Sequence, residues 1–176
     1  KLADSEKKDI YHYYVLNGYM IARDFIEKDE NGNAEYQRGR ELLLEIAPYA
    51  DEELKGYVLP KIPLTWYFEG ASNFEKQMFE EALVCFNNAF NGFQELGLTS
   101  NAISALKQVA IVNYHTYHIE AIKKYEQALL MSQTINDSIA QMDIAQELHR
   151  LSGIVGDMEG ITKYTNLMDS LIANST

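Results

Sequence analysis

The segment HTYH places His115 and His118 three residues apart with Glu120 close behind, a spacing that one turn of helix could present to a metal such as zinc. The competing role for the pair is packing or solvent exposure at a turn between two helices. His118 falls in a slot that aromatic residues fill elsewhere in the chain. A nucleophilic mechanism would need an activated Ser or Cys beside a histidine and a carboxylate, and no G-x-S-x-G elbow occurs. Glycine-rich phosphate loops are also absent. The carboxylates come in groups such as Glu80-Glu81 and Asp51-Glu52-Glu53, the pattern of a solvated helix face. The single cysteine, Cys85, cannot form an internal disulfide or a cysteine-based zinc site, and reads as a small core residue. These residues give no support to catalysis or to a cofactor, so the expectation is a non-enzyme without a bound metal.

The 176 residues suffice for one domain with a substantial core, and an apolar content of 47% with 11% aromatics fits a globular protein. A formal net charge of -11 argues against direct nucleic-acid binding, which relies on clustered Lys and Arg. It serves solubility and would steer a partner carrying basic residues. No apolar run approaches the roughly 18 residues of a membrane helix, so membrane insertion is not expected. The sequence begins at Lys1 rather than methionine, the expectation being a processed or excised piece. It leaves open whether the compartment is cytoplasmic or extracytoplasmic.

The elements that would position any functional residue follow from periodicity. Phe79, Ala82, Phe86, Ala89 and Phe93 step by 3, 4, 3 and 4, one stripe of a helix. His118, Ala121, Tyr125 and Ala128 repeat those steps 39 residues later, and Gly160, Tyr164 and Leu167 repeat them again after another 39. Upstream, Tyr36, Gly39, Leu43 and Ile46 share the spacing. Leu96-Gly97 and Ile135-Asn136 are also 39 apart, and Gly and Asn tolerate the left-handed conformation that ends a helix. A period near 40 with two helical patterns per unit predicts an all-α superhelix of about four stacked helical hairpins, in which neighbours bury what one hairpin cannot. The small residues Gly39, Ala82, Ala121 and Gly160 mark close helix crossings.

The predicted units within one domain of residues 1–176 are about 5–48, 51–96, 99–134 and 138–173. The predicted helices are 5–28, 34–48, 51–77, 79–96, 99–115, 118–134, 138–155 and 158–173. A turn is expected at ENGN, residues 30–33, and a break near Pro60 and Pro63, with Pro63 starting the helix that carries Trp66.

The stretch from residue 63 to 90 resembles the tetratricopeptide repeat: Trp66, Gly70, Ala82, Phe86 and Ala89 stand at that family's spacing, with Phe79 at an aromatic position. Glu69 replaces the family's leucine and Asn73 its tyrosine, with Phe74 adjacent. Residues 102–129 keep the second helix, residues 139–171 keep Leu148, Gly156, Gly160 and Tyr164, and the N-terminal copy matches in its second helix alone. The 39-residue period resembles long variants of the 34-residue family unit. The ending Tyr164, Asp169, Ser170, Leu171 is similar to the close of repeat arrays in bacterial sensor kinases and transcription regulators, which implies as an alternative function a sensor domain whose output part lies outside this chain.

The resemblance implies a non-catalytic scaffold that binds a protein or peptide on a concave face lined by the first helix of each unit. The matching positions include Leu64, Tyr67, Ala71, Phe74 and Glu75, then Ser104, Lys107, Ile111, Tyr114 and His115, then Gln146 and Arg150. Tyr67, Phe74, Lys107, Tyr114 and Arg150 are the implied peptide-binding residues, with packing between units as the other role for the aromatics. The clamp that holds chaperone C-termini is not reproduced, since Ile111 stands where it needs asparagine. A terminal helix carrying Met168, Leu171 and Ile172 offers an apolar face for self-association.

Overall fold

The computed structural model describes residues 4–27, 34–116 and 118–174. The expected turn at residues 30–33 lies outside them, as does Tyr117 of the HTYH segment. Among the described residues the chain forms eight α-helices and no strand. They are α1 (Asp4–Ile26), α2 (Tyr36–Ile46), α3 (Glu52–Glu75), α4 (Phe79–Glu95), α5 (Thr99–Thr116), α6 (His118–Thr134), α7 (Ser138–Val155) and α8 (Met158–Ala173), with a 3-10 turn at Ala47–Tyr49. Each helix packs most extensively on its chain neighbours, first within the pairs α1–α2, α3–α4, α5–α6 and α7–α8, then between consecutive pairs. The result is the expected array of helical hairpins.

One turn geometry recurs. Gln77, Gly97, Asn136 and Gly156 all have positive φ, at 61°, 68°, 54° and 76°. After each of them the next backbone N–H reaches back five residues: Met78 to Asn73, Leu98 to Phe93, Asp137 to Ser132 and Asp157 to Ser152, at 2.8–3.0 Å. That bond satisfies a carbonyl the helix end leaves without a partner. Asp137 and Asp157 then cap the following helix, their carboxylates accepting from Ala140 N–H and Gly160 N–H.

The small residues stand at crossings. Ala82 and Ala121 are fully buried. A Cβ on Gly39 would lie 2.9 Å from the Ala22 carbonyl oxygen of α1, and one on Gly70 would lie 2.9 Å from the Phe86 ring of α4. On Gly160 it would collide with Ser152 and Asp157. Contact this close leaves no room for a side chain.

The expected break at Pro60 and Pro63 does not occur: α3 runs unbroken from Glu52 to Glu75 with both prolines inside. Pro63 therefore does not start a helix. An interior proline costs about 3 kcal/mol or more, and burial on both sides of the pair offsets it. Leu54 and Val58, before the prolines, belong to one apolar cluster with Val15, Ala22, Leu43 and Ile46. Leu64, Trp66, Tyr67 and Phe74, after them, pack on a second cluster running from Ala82 to Tyr164. Pro63 is itself buried and sits against Gly92 of α4, where a Cβ would come within 2.8 Å of its ring.

Of the residues offered for self-association, Ile172 is exposed while Met168 and Leu171 are half-buried. A broader exposed apolar stripe lies on α1, at Ile10, Tyr13, Met20 and Ile21.

Candidate functional site on the first-helix face

The first helices of successive hairpins are α1, α3, α5 and α7. On α5, Lys107 and Tyr114 are seven residues apart, two helical turns, and Asp143 and Arg150 repeat that spacing on α7. Lys107 is ion-paired with Asp143, and the Arg150 guanidinium lies over the Tyr114 ring at 4.8 Å. The two rungs share one offset of 36 residues, so α5 and α7 run side by side in register. Arg150 also holds Glu147 through Nε at 3.0 Å and Nη2 at 2.7 Å. That bond, with the one to the Tyr114 hydroxyl, favours the charged guanidinium and raises its pKa.

Aromatic contacts carry the strip on to α3. Tyr114 meets His115 edge-on at 5.6 Å, and His115 lies 5.5 Å from Phe74 and stacks on Phe79 at 5.3 Å with 7° between the planes. Phe74 and Phe79 are 5.7 Å apart. Thus Phe74, Tyr114 and Arg150 join in one chain of contacts across three helices, with Lys107 two turns away on the same face. Tyr67 stands apart from it, its half-buried ring packed edge-on against Phe86 at 5.6 Å.

The two histidines of the HTYH segment both meet the Tyr114 ring edge-on, and their other contacts differ. His118 contacts Tyr114 edge-on at 4.9 Å, while His115 is taken up by Phe79 and Phe74. No group of three or more His, Cys, Asp or Glu side chains is placed to hold a metal among the described residues. Nor is any helix there long and apolar enough to cross a membrane. Cys85 is buried, and desolvation pushes its thiol pKa up to about 11.

A cluster between hairpins one and two escaped the sequence reading. Arg40 of α2 is 6% exposed, and its Nη1 donates to Glu69 Oε2 at 2.8 Å and to Thr65 Oγ1 at 3.2 Å. Its guanidinium carbon lies 3.3 Å from the Trp66 ring centroid. Glu69 is the residue that departs from the family's leucine, and the signal was there: a carboxylate at a core position implies a buried cation nearby. Asn73, the other departure, donates to Cys85 Sγ at 3.7 Å. The first-helix face also holds a cavity of about 240 Å³ between α1 and α3, which no sequence pattern indicated.

Gly70 pressed on Phe86 and one left-handed turn repeated between helices supply the physical content of the W-x3-G and A-x3-F spacings. The fold is a tetratricopeptide-like helical array. No family model matches the chain, and no curated protein matches it. Two solved structures are similar to the array: nearly identical TPR-like repeats of a Podosopora anserina protein assigned as a kinesin light chain, and a single-substitution variant of it. Each is 14% identical to this chain and covers 92% of it, spanning 96% and 95% of the neighbour, with a TM-score of 0.31. The helix pairing described above stands on the chain's own geometry.

Proposed function

We propose that the protein is a non-catalytic interaction scaffold that binds an extended protein segment on the face formed by α1, α3, α5 and α7. The observation that carries this reading is the linked strip of Phe74, His115, Tyr114 and Arg150, where half-exposed or exposed aromatic and guanidinium groups from α3, α5 and α7 form one surface. Aromatic and arginine side chains offer large contact area with polar tips, the composition of binding hot spots. Because Lys107 and Arg150 are already paired with Asp143 and Glu147, recognition along this strip rests on shape and aromatic contact rather than on net charge.

Peptides selected from a random phage-displayed library against the chain test the reading, with affinities measured by titration calorimetry. Tyr114→Ala and Arg150→Ala should each weaken binding by at least about tenfold, about 1.4 kcal/mol. Val84→Asp and Leu130→Asp, at exposed positions of the second helices α4 and α6, should leave it unchanged. Loss on the second-helix variants with none on the first-helix variants would sink the assignment.

A further inference from the structure

Along the first-helix face, contact between neighbours closes some gaps and leaves one open. Lys107–Asp143 and Tyr114–Arg150 bridge α5 to α7, and Phe74–His115 bridges α3 to α5. Between α1 and α3 lies the cavity of about 240 Å³. Its floor is Leu43 of α2, fully buried, and its walls are Tyr19 and Ile26 of α1 with Leu64 and Phe68 of α3. Phe68 is 41% exposed, an aromatic ring left facing water beside an apolar hollow.

Three charged groups border that hollow, Arg23 of α1 and Glu27 just beyond its end on one side and Lys61 of α3 on the other. Arg23 already has Asp24 at 3.5 Å and Glu27 at 3.4 Å. Lys61 has no ion pair or hydrogen bond among the described residues, although the chain carries a formal charge of -11, and Lys107, Arg150 and Lys163 each sit against a carboxylate. An apolar hollow with an unpaired ammonium at its edge complements a group that is apolar at its end and anionic at its base. The volume favours a protein side chain as the source of that group, since small-molecule pockets run about 300–1,000 Å³. A hollow of this size suits one large side chain.

We propose that this cavity is the anchoring subsite of the first-helix face, taking one bulky apolar side chain of an extended protein segment whose neighbouring carboxylate meets Lys61. This rests on the scaffold reading above and adds to it the place of insertion and the chemistry selected. Burial of the side chain against Leu43, Leu64 and Phe68 supplies the affinity, and the Lys61 charge supplies the discrimination against neutral or basic neighbours.

Sequencing the peptides selected in the phage experiment reads the subsite directly. The expected enrichment is Trp, Phe or Leu within two residues of Asp or Glu. Phe68→Ala and Lys61→Met should weaken such peptides by at least about tenfold, and a selection repeated on Lys61→Glu should exchange the acidic neighbour for Lys or Arg. Melting curves confirm that each variant is folded. Lys61→Met keeps the apolar stem, so it separates loss of charge from loss of structure. Enriched peptides without an acidic neighbour, or with affinities untouched by Phe68→Ala and Lys61→Met, overturn the subsite. If those same peptides are lost on Tyr114→Ala or Arg150→Ala, the scaffold reading survives that result. A library yielding no binder overturns both. Binding of 3-phenylpropionate with the same sensitivity to Lys61→Met, in the absence of any selected peptide, would assign the cavity to a small acid and overturn the proposal as well.

Discussion

Removing Glu69 should cost more than removing Arg40, although the two form one ion pair. Arg40 is 6% exposed and reaches Glu69, Thr65 and the Trp66 face, whereas the Glu69 side chain is 27% exposed. In Glu69→Ala a desolvated guanidinium keeps a neutral hydroxyl and a ring, and the cost of a broken buried pair is about 3–5 kcal/mol. In Arg40→Ala the remaining carboxylate can hydrate. The loss is then the two guanidinium hydrogen bonds, to Glu69 and Thr65, with the cation–π contact; since the Thr65 hydroxyl keeps its bond to the Ile62 carbonyl, the net cost is about 2–3 kcal/mol. Arg40→Met with Glu69→Leu should return to within about 1 kcal/mol of the parent, because apolar replacement removes the desolvation penalty of both ions. Urea unfolding followed by far-UV circular dichroism, extrapolated to water, measures all four proteins. The reasoning is refuted if Glu69→Ala costs under about 1 kcal/mol, the range of an exposed pair, or if the two single costs simply add.

Ala82→Leu should overpack the α3–α4 crossing and destabilise by about 1–3 kcal/mol, so an unchanged melting temperature would count against that placement. Gln77 holds a left-handed conformation that glycine adopts without penalty. Gln77→Gly should therefore raise stability by about 0.5–1 kcal/mol, read from the urea midpoint, and a lower midpoint would contradict it. Cys85, buried and with its pKa pushed up to about 11, should resist alkylation by iodoacetamide at pH 8 until urea unfolds the chain. Rapid native labelling would place the thiol elsewhere. The Asp51 carboxyl accepts from Leu54 N–H and pairs with His12 at 3.0 Å, and these bonds lower its pKa from 3.8. Its contribution is therefore complete above that unfolded value and is lost as pH falls through the lower folded one. The melting-temperature gap between the parent and Asp51→Ala should close toward pH 3, and a constant gap from pH 7 to 3 would refute the linkage.

Periodicity made the helices and crossings legible because close packing writes small residues into fixed steps: Gly39, Ala82, Ala121 and Gly160 are all buried on the packed faces of their helices. The turns were legible at Gly97 and Asn136 for the same local reason. Gln77 was not, since glutamine carries no preference for positive φ and the turn is imposed by the helices it joins. The prolines misled because local rules do not count the burial of Leu54 and Val58 on one side and Leu64 and Phe74 on the other. Of the candidate site, register was enough to put Phe74, Lys107, Tyr114 and Arg150 on one face, and the Tyr67 ring packs against Phe86 apart from them. The cavity was invisible, since it depends on how far α1 stands from α3, and no run of residues encodes that distance alone.

The unbroken path of α3 past Pro60 and Pro63 has a mechanical meaning. Each proline lacks the N–H that would bond the carbonyl four residues earlier, here those of Gly56 and Leu59. The rod common to both apolar clusters is thus least stiff over one short span, and a change of angle between the first hairpin and the rest concentrates there. Lys61 lies within that span, Leu64 directly follows it, and both line the cavity. A side chain wedged between α1 and α3 would act as a splint across that span.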